Sequence, residues 1–315
     1  MKREKISEIL RENGLNHFGF CPYGEVAAHL IPHHDTRRIP ENPQTIISVL
    51  FPIKLPGEEP RNMARYAAVP DYHEVIRIRL EKAAGALSRA FPGHTFIAFT
   101  DNAPLPEVWT AARAGLGVIG EHNLLITPEF GSWVMLGELV TDLPVDALVH
   151  PVSRCPGCGV CRAACPTHIA GDKPFDRRRC LSDMLQRKQE PGPEEAALIR
   201  REGFAWGCDC CQEACPLNRE VKYSDIPELY EGYVPMITPE TAGELKNRVY
   251  AWRGPEIILR NLRIIDPKPE DTRECRQEQY GTAFDCGDPA NSKEKDGSEY
   301  AHKHRTNYEQ GDRFG

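Results

Sequence analysis

Long apolar runs are missing from this sequence. Nowhere in its 315 residues does a hydrophobic stretch approach the ~18 needed to cross a bilayer. The amino-terminal MKREKISEILRENG also lacks a continuous apolar segment. Its Ile and Leu alternate with polar residues, which excludes a secretory leader and reads as an amphipathic helix. The expected location is therefore the cytoplasm, with no membrane partner. Surplus basic charge is missing too. A formal net charge of −7 gives no support to a broad nucleic-acid surface and leaves only local basic patches. Internal repeats are absent apart from a pair of cysteine motifs.

Cysteine is what the chain has in quantity. Nine of its twelve cysteines fall between Cys155 and Cys215, and in a cytoplasmic chain such crowding points to a metal site rather than to disulfides. The first run, Cys155-Pro-Gly-Cys158-Gly-Val-Cys161-Arg-Ala-Ala-Cys165-Pro166, has the C-x2-C-x2-C-x3-C-P spacing of two-cluster ferredoxins, whose fourth cysteine serves the other cube. The second, Cys208-Asp-Cys210-Cys211-Gln-Glu-Ala-Cys215-Pro216, is one ligand short, and Cys180 is the nearest residue to complete it. Two [4Fe–4S] clusters are expected, one on Cys155, Cys158, Cys161 and Cys215, the other on Cys165, Cys180, Cys208 and Cys211. Structural zinc is the competing reading, but zinc uses separated C-x2-C pairs and has no need of two C-P endings. Cys210 reads as a spare thiol that competes with Cys208 or Cys211. Cys21 reads as a core thiol, and Cys275 and Cys286 have no role.

Around this module the chain alternates helix and strand signals. A helix is expected from Ile6 to Leu15, stopping at Gly14. β-type runs are expected at 17–21, 45–51 and 95–100, and helices over 74–91 and 106–115. Four regions follow: an α/β domain over 1–150, a cysteine module over 151–220, a helical segment over 221–265, and from Asp266 a polar tail expected to be disordered. Gly115-Leu-Gly117-Val-Ile-Gly120 spells G-x-G-x-x-G, but a helix precedes it and a strand-like LLIT follows. That is the reverse of a dinucleotide fingerprint, and nicotinamide binding is rejected.

Three segments carry a more specific signal. DNAPLPEVWTAARAGLGVIGEHNLLITPEFGSWVMLGELVTDLP, ARYAAVPDYHEVIRIRL and GCDCCQEACPLN resemble epoxyqueuosine reductases, in order and over residues 1 to about 265. The resemblance implies an α/β (α+β) fold: a nitroreductase-like, cobalamin-binding domain, a two-cluster ferredoxin-like module and a short helical segment. It also implies cobalamin as a cofactor, reduction of epoxyqueuosine to queuosine in tRNA, and reduced ferredoxin or flavodoxin as electron donor. No D-x-H-x-x-G is present, since Asp71-Tyr-His73 continues Glu-Val-Ile, so no protein His ligand to cobalt is indicated.

By the same resemblance Asp101 matches the family's proton donor and a cofactor contact, and Ala64, Leu125, Leu136 and Ser182 match corrinoid contacts. Read from the residues alone, Asp101 also suits a helix N-cap, the leucines core packing, and Ser182 a solvated helix position. A proton-donating carboxyl at neutral pH is expected to be buried.

The sequence departs from the family pattern in three places. It has Ala68-Val69-Pro70-Asp71-Tyr72-His73 where GRDYH is usual, and Glu121 where Lys is common. Only LRNLRII hints at the helical HEAT-like repeats that commonly end family members, so a short form is expected. Arg177, Arg178 and Arg179, with Lys246, Arg248, Arg253, Arg260 and Arg263, are candidates for phosphate contact. Two other classes remain open at this point: a corrinoid iron–sulfur reductase of a small molecule, and an electron-transfer protein.

Overall fold

The run Thr45–Pro52 is apolar on both sides, and it forms a strand buried at every residue. In the computed structural model, which describes residues 2–267 except 32–34, 58–59, 102 and 244–245, this strand is β2. Around it lie β1 (Phe18–Pro22), β3 (Phe96–Phe99) and β6 (Val134–Thr141), in the order β1-β2-β6-β3 with every pairing antiparallel. β4 (Val118–Ile119) and β5 (Leu125–Ile126) form a separate small hairpin. The architecture is mixed α and β with open sheets.

The pleat alternates sides, so Ile47, Val49 and Phe51 face one layer while Ile46 and Leu50 face the other. The first layer is made by the helix Tyr72–Ala90, with Ile76, Leu80, Ala83 and Leu87 on its buried stripe, and by the helix Lys2–Glu12 through Ile6 and Leu10. The second contains the helix Glu107–Arg113. Gly14, expected to end the first helix, lies just past it at φ +74°, and its N–H donates to the Arg11 carbonyl.

Asp71 starts the long helix: its carboxylate accepts the N–H of His73, an N-cap that fixes Tyr72 and His73 on the first turn. The glycines of the dinucleotide lookalike have a packing use. A Cβ on Gly117 would lie 2.3 Å from the Ile126 carbonyl oxygen across the small hairpin.

The cysteine-rich region has a small core of Cys161, Cys165, Ile169 and Ala170. Two buried polar sets dock it on the sheet domain. Asp209 receives the Arg61 guanidinium at 3.0 Å and the Arg65 N–H at 2.7 Å. Asn218 accepts the Ser132 N–H at 2.7 Å and donates to the Ser132 hydroxyl at 2.8 Å. The helix Glu256–Ile265 closes this end, placing Ile257, Ile258 and Leu262 against Met63, Ala67 and Trp206. The expectation of a disordered tail, together with Cys275 and Cys286, lies outside the described residues.

Candidate functional site

Both cysteine runs fold the same way. In the first, Cys161 sits at the start of the helix Val160–Ala164 and Cys165 just past its end. In the second, Cys211 lies in the helix Cys210–Glu213 and Cys215 lies beyond it. Gly157 and Gly159 take left-handed φ values of +72° and +76°, which wraps the backbone around Cys158.

Cys155, Cys158 and Cys161 line a cavity of about 100 Å³, and Cys215 from the second run completes its wall. The remaining four expected ligands also associate. Burial pushes the Cys211 thiol up, and the nearby charges of Cys165 and Cys180 push it further, while Cys211 acts in the same sense on Cys208. Cys165 goes the other way. Burial opposes its ionisation, but the Thr167 hydroxyl and the N–H groups of Ala170, Thr167 and Ile169 outweigh it. Cys161 also acts on Cys211, so the two runs lie side by side, and four thiolates are the donor set that an iron–sulfur cube takes. Cys210 belongs to neither four-residue set by spacing. It hydrogen-bonds Cys208 and lies 3.8 Å from Glu202 Oε2. Cys21 is fully buried in the sheet domain.

Asp101 follows β3 and holds a left-handed φ of +45°, a conformation that Asp and Asn tolerate better than most residues. It is not a helix N-cap: the helix Glu107–Arg113 is preceded by Pro106 and has no side-chain cap. Its carboxylate accepts instead from the Tyr72 hydroxyl at 3.3 Å and from His73 Nε2 at 2.9 Å, while His73 Nδ1 lies 2.7 Å from Asp71. Burial works against a proton on His73, but hydrogen bonds to Asp101 and Asp71 prevail and raise its pKa to about 9. The expected burial of Asp101 is not found, since its side chain is 49% exposed. The two carboxylates thus favour the protonated form of His73 near neutral pH.

Two further carboxyl groups stand behind Asp101. Burial, reinforced by the Asp101 charge, raises Glu107 to about 7, and its carboxylate accepts the Asp101 N–H. Glu138 on β6 is fully buried, and neither of its carboxylate oxygens has a hydrogen-bond partner among the described residues. Burial drives its pKa well up, helped by Glu107 and Asp101. Sequence reasoning missed His73, Tyr72, Glu107 and Glu138 as site residues. The available signal was Asp71, a capping residue that places Tyr72 and His73 side by side.

The other expected contacts divide in two. Leu125 and Leu136 meet in one apolar cluster, the former buried and the latter half-buried. Ala64 is fully buried and donates its N–H to the Trp206 carbonyl. Ser182 is half-buried, bonded by Gln186 and by Tyr66. Tyr66 stacks edge-on with Tyr72 at 6.1 Å. A continuous path therefore runs from Asp101 through Tyr72 and Tyr66 to Ser182, which donates its N–H to Cys180.

Two basic candidates need correcting. Arg248 is buried, its guanidinium donating to the carbonyls of Ala68 and Gly232. Arg260 is buried likewise, on the carbonyls of Arg187 and Gln189. Both hold backbone together. Arg177, Arg178 and Arg179 are exposed, and they pair with Asp183, Asp176 and Asp172.

Residues 34–102 match the family model described as epoxyqueuosine reductase QueG, DUF1730, and residues 154–218 match the 4Fe-4S double cluster binding domain. An epoxyqueuosine reductase of Lactococcus garvieae is 31% identical over 241 residues, which cover 70% of this chain and 68% of that protein. The chain belongs to the epoxyqueuosine reductase family. A family member from Listeria monocytogenes is 31% identical over 252 residues, 73% of this chain and 66% of its own. One from Synechococcus is 39% identical over 173 residues, 53% of each. The chain thus spans 53 to 68% of the length of these three relatives. The solved epoxyqueuosine reductase of Streptococcus thermophilus superposes with a TM-score of 0.70 at 27% identity, covering 84% of this chain and 80% of that one. Among the described residues no helix is long and apolar enough to cross a membrane.

His73 supplies a pH prediction. Its folded pKa of about 9 lies above the usual 6.5, so it contributes stability that is complete below pH 6.5 and fades as pH rises through 9. Melting temperatures of the protein and of His73→Gln should therefore converge on the alkaline side. A difference that stays constant from pH 6 to about 9.5 would contradict the assigned pairing.

Proposed function

We propose that this chain reduces the epoxide of epoxyqueuosine to the alkene of queuosine in tRNA. It would use two [4Fe–4S] clusters, a corrinoid, and electrons from a reduced ferredoxin or flavodoxin. The observation that carries the reading is the path from Cys180 through Ser182, Tyr66 and Tyr72 to Asp101, which joins the cysteine groups to an acid hydrogen-bonded by a histidine. Family membership favours this reading over a small-molecule reductase or a simple electron carrier.

Removing the epoxide oxygen consumes two electrons and two protons and releases water. When bound, a corrinoid supplies a strongly reducing, nucleophilic centre suited to opening a strained C–O bond. Trp206 supports such a fit: its Nε1–H is buried with no partner among the described residues, and it belongs to the residue whose carbonyl binds Ala64. A macrocycle bearing amides would satisfy that donor, with Leu136 and Ser182 as its accessible contacts and Leu125 behind them. Asp101 would pass a proton to the leaving oxygen, and His73 would resupply it through the 2.9 Å hydrogen bond. Tyr72 would hold the carboxylate while Glu107, through the Asp101 N–H, fixes its backbone.

Division of labour would follow the chain, with chemistry in residues 1–150 and electron supply in 151–220. Cys155, Cys158, Cys161 and Cys215 would hold one cluster, and Cys165, Cys180, Cys208 and Cys211 the other. Cys180→Ala should then lose about half of the iron and acid-labile sulfide, whereas Cys210→Ala should keep both clusters. Equal iron in wild type and Cys180→Ala would remove Cys180 from the ligand set. Cobalamin added to the reconstituted protein should give an electron paramagnetic resonance signal without axial nitrogen splitting. The deciding assay supplies chemically reduced, fully loaded enzyme with epoxyqueuosine-containing tRNA and reads nucleosides by mass spectrometry. Queuosine is the expected product, and its absence would refute the assignment.

A further inference from the structure

A second cavity, of about 400 Å³, has Asp71 in its wall. The Asp71 carboxylate bonds His73 Nδ1, and His73 Nε2 in turn bonds the proposed acid Asp101, so a residue of the cavity wall is linked to that acid through one imidazole. Lys246, Tyr250, Trp252 and Gly254 also line it. This segment is tied to the start of the long helix, since the Asp71 N–H donates to the Asn247 carbonyl at 3.1 Å.

Trp252 is 70% exposed, an unusual state for the largest apolar side chain. The Arg253 guanidinium sits 4.2 Å from its ring centroid, covering one face and leaving much of the indole open to solvent. Tyr250 is 1% exposed, and its hydroxyl has no hydrogen-bond partner among the described residues. An aromatic platform, an accessible ammonium and an unsatisfied hydroxyl together match the chemistry of a nucleotide: base stacking, phosphate contact and a polar edge.

We propose that this cavity seats a nucleotide adjacent to the reacting nucleoside in the substrate RNA, with its base on Trp252 and its phosphate near Lys246. The proposal rests on the tRNA reading above and adds a subsite to it. Stacking tolerates any base, so the subsite would position the RNA without reading its sequence.

The test is fluorescence anisotropy with a labelled anticodon stem-loop RNA carrying epoxyqueuosine, on protein with both clusters reconstituted. Trp252→Ala should weaken binding by about 5- to 150-fold, the range of one lost base stack, with iron content unchanged. Trp252→Phe should stay close to wild type. Lys246→Ala should flatten the dependence of log Kd on log salt by about 0.7, one phosphate's share on a single strand. Undiminished binding by Trp252→Ala, or equal weakening in Trp252→Phe, would overturn the subsite and leave the activity intact. Failure of the wild-type protein to bind the RNA would overturn the substrate reading and the subsite with it.

Discussion

Asp101→Asn should retain both clusters, the corrinoid and RNA affinity, yet lose about 10²- to 10⁴-fold in turnover, the usual contribution of a positioned acid. Asparagine is a clean replacement here. It tolerates the left-handed φ of +45°, and its carbonyl oxygen still accepts from Tyr72 and His73. What it lacks is a carboxylate that can take the proton of His73 and pass it on. The pH profile tests the same arrangement from the other side. With His73 as the reservoir, wild-type turnover should decline as pH rises through about 9, where the imidazolium is lost. A flat profile across that range, or an Asp101→Asn enzyme of near wild-type turnover, would rule out this proton path.

A comparably large effect, on stability, is expected from Asp209→Ala. Asp209 stands between Cys208 and Cys210, and its side chain is 2% exposed against 13% for Arg61, its partner at 3.0 Å. Truncation leaves a largely buried guanidinium and the Arg65 N–H without their shared acceptor. Breaking a buried pair in this way costs about 3–5 kcal/mol, or roughly 10 °C in melting temperature for a protein of this size. Because Asp209 lies within the second cysteine run, iron retention after gel filtration should drop with it. Glu213, 43% exposed beside the same arginines, provides the contrast: Glu213→Ala should cost no more than about 1 kcal/mol. Equal melting temperatures for the two variants would show that docking of the cysteine module does not depend on Asp209.

The double-cluster module was legible because spacing along the chain encodes it. Two short helices of similar length separate paired thiols, and the prolines after Cys165 and Cys215 mark where each helix ends. Strand β2 and the long helix were legible for a similar reason, since periodicity is a local property. β6 was harder. Its sequence VMLGELVT interrupts the apolar pattern at Gly137 and Glu138, and both have tertiary causes. A Cβ on Gly137 would lie 2.7 Å from Leu80 Cδ1 of the covering helix, and Glu138 faces the acid cluster.

His73 was visible as a residue but not as a proton holder, because that role depends on Asp71 and Asp101 converging from two different elements. Arg248 and Arg260 show the opposite error. Positive charge in a sequence carries no information on whether backbone carbonyls, rather than phosphates, will receive it.

The cavity shared by Cys155, Cys158, Cys161 and Cys215 has a temporal consequence. On the ribosome its first three walls emerge together, but the fourth cannot arrive until the second run has been synthesised. On the proposed ligand sets, Cys165 would wait in the same way for Cys208 and Cys211. Neither thiol set can be completed while the chain is still short of its second motif. Metal delivered before Cys215 had emerged would find only a partial site there.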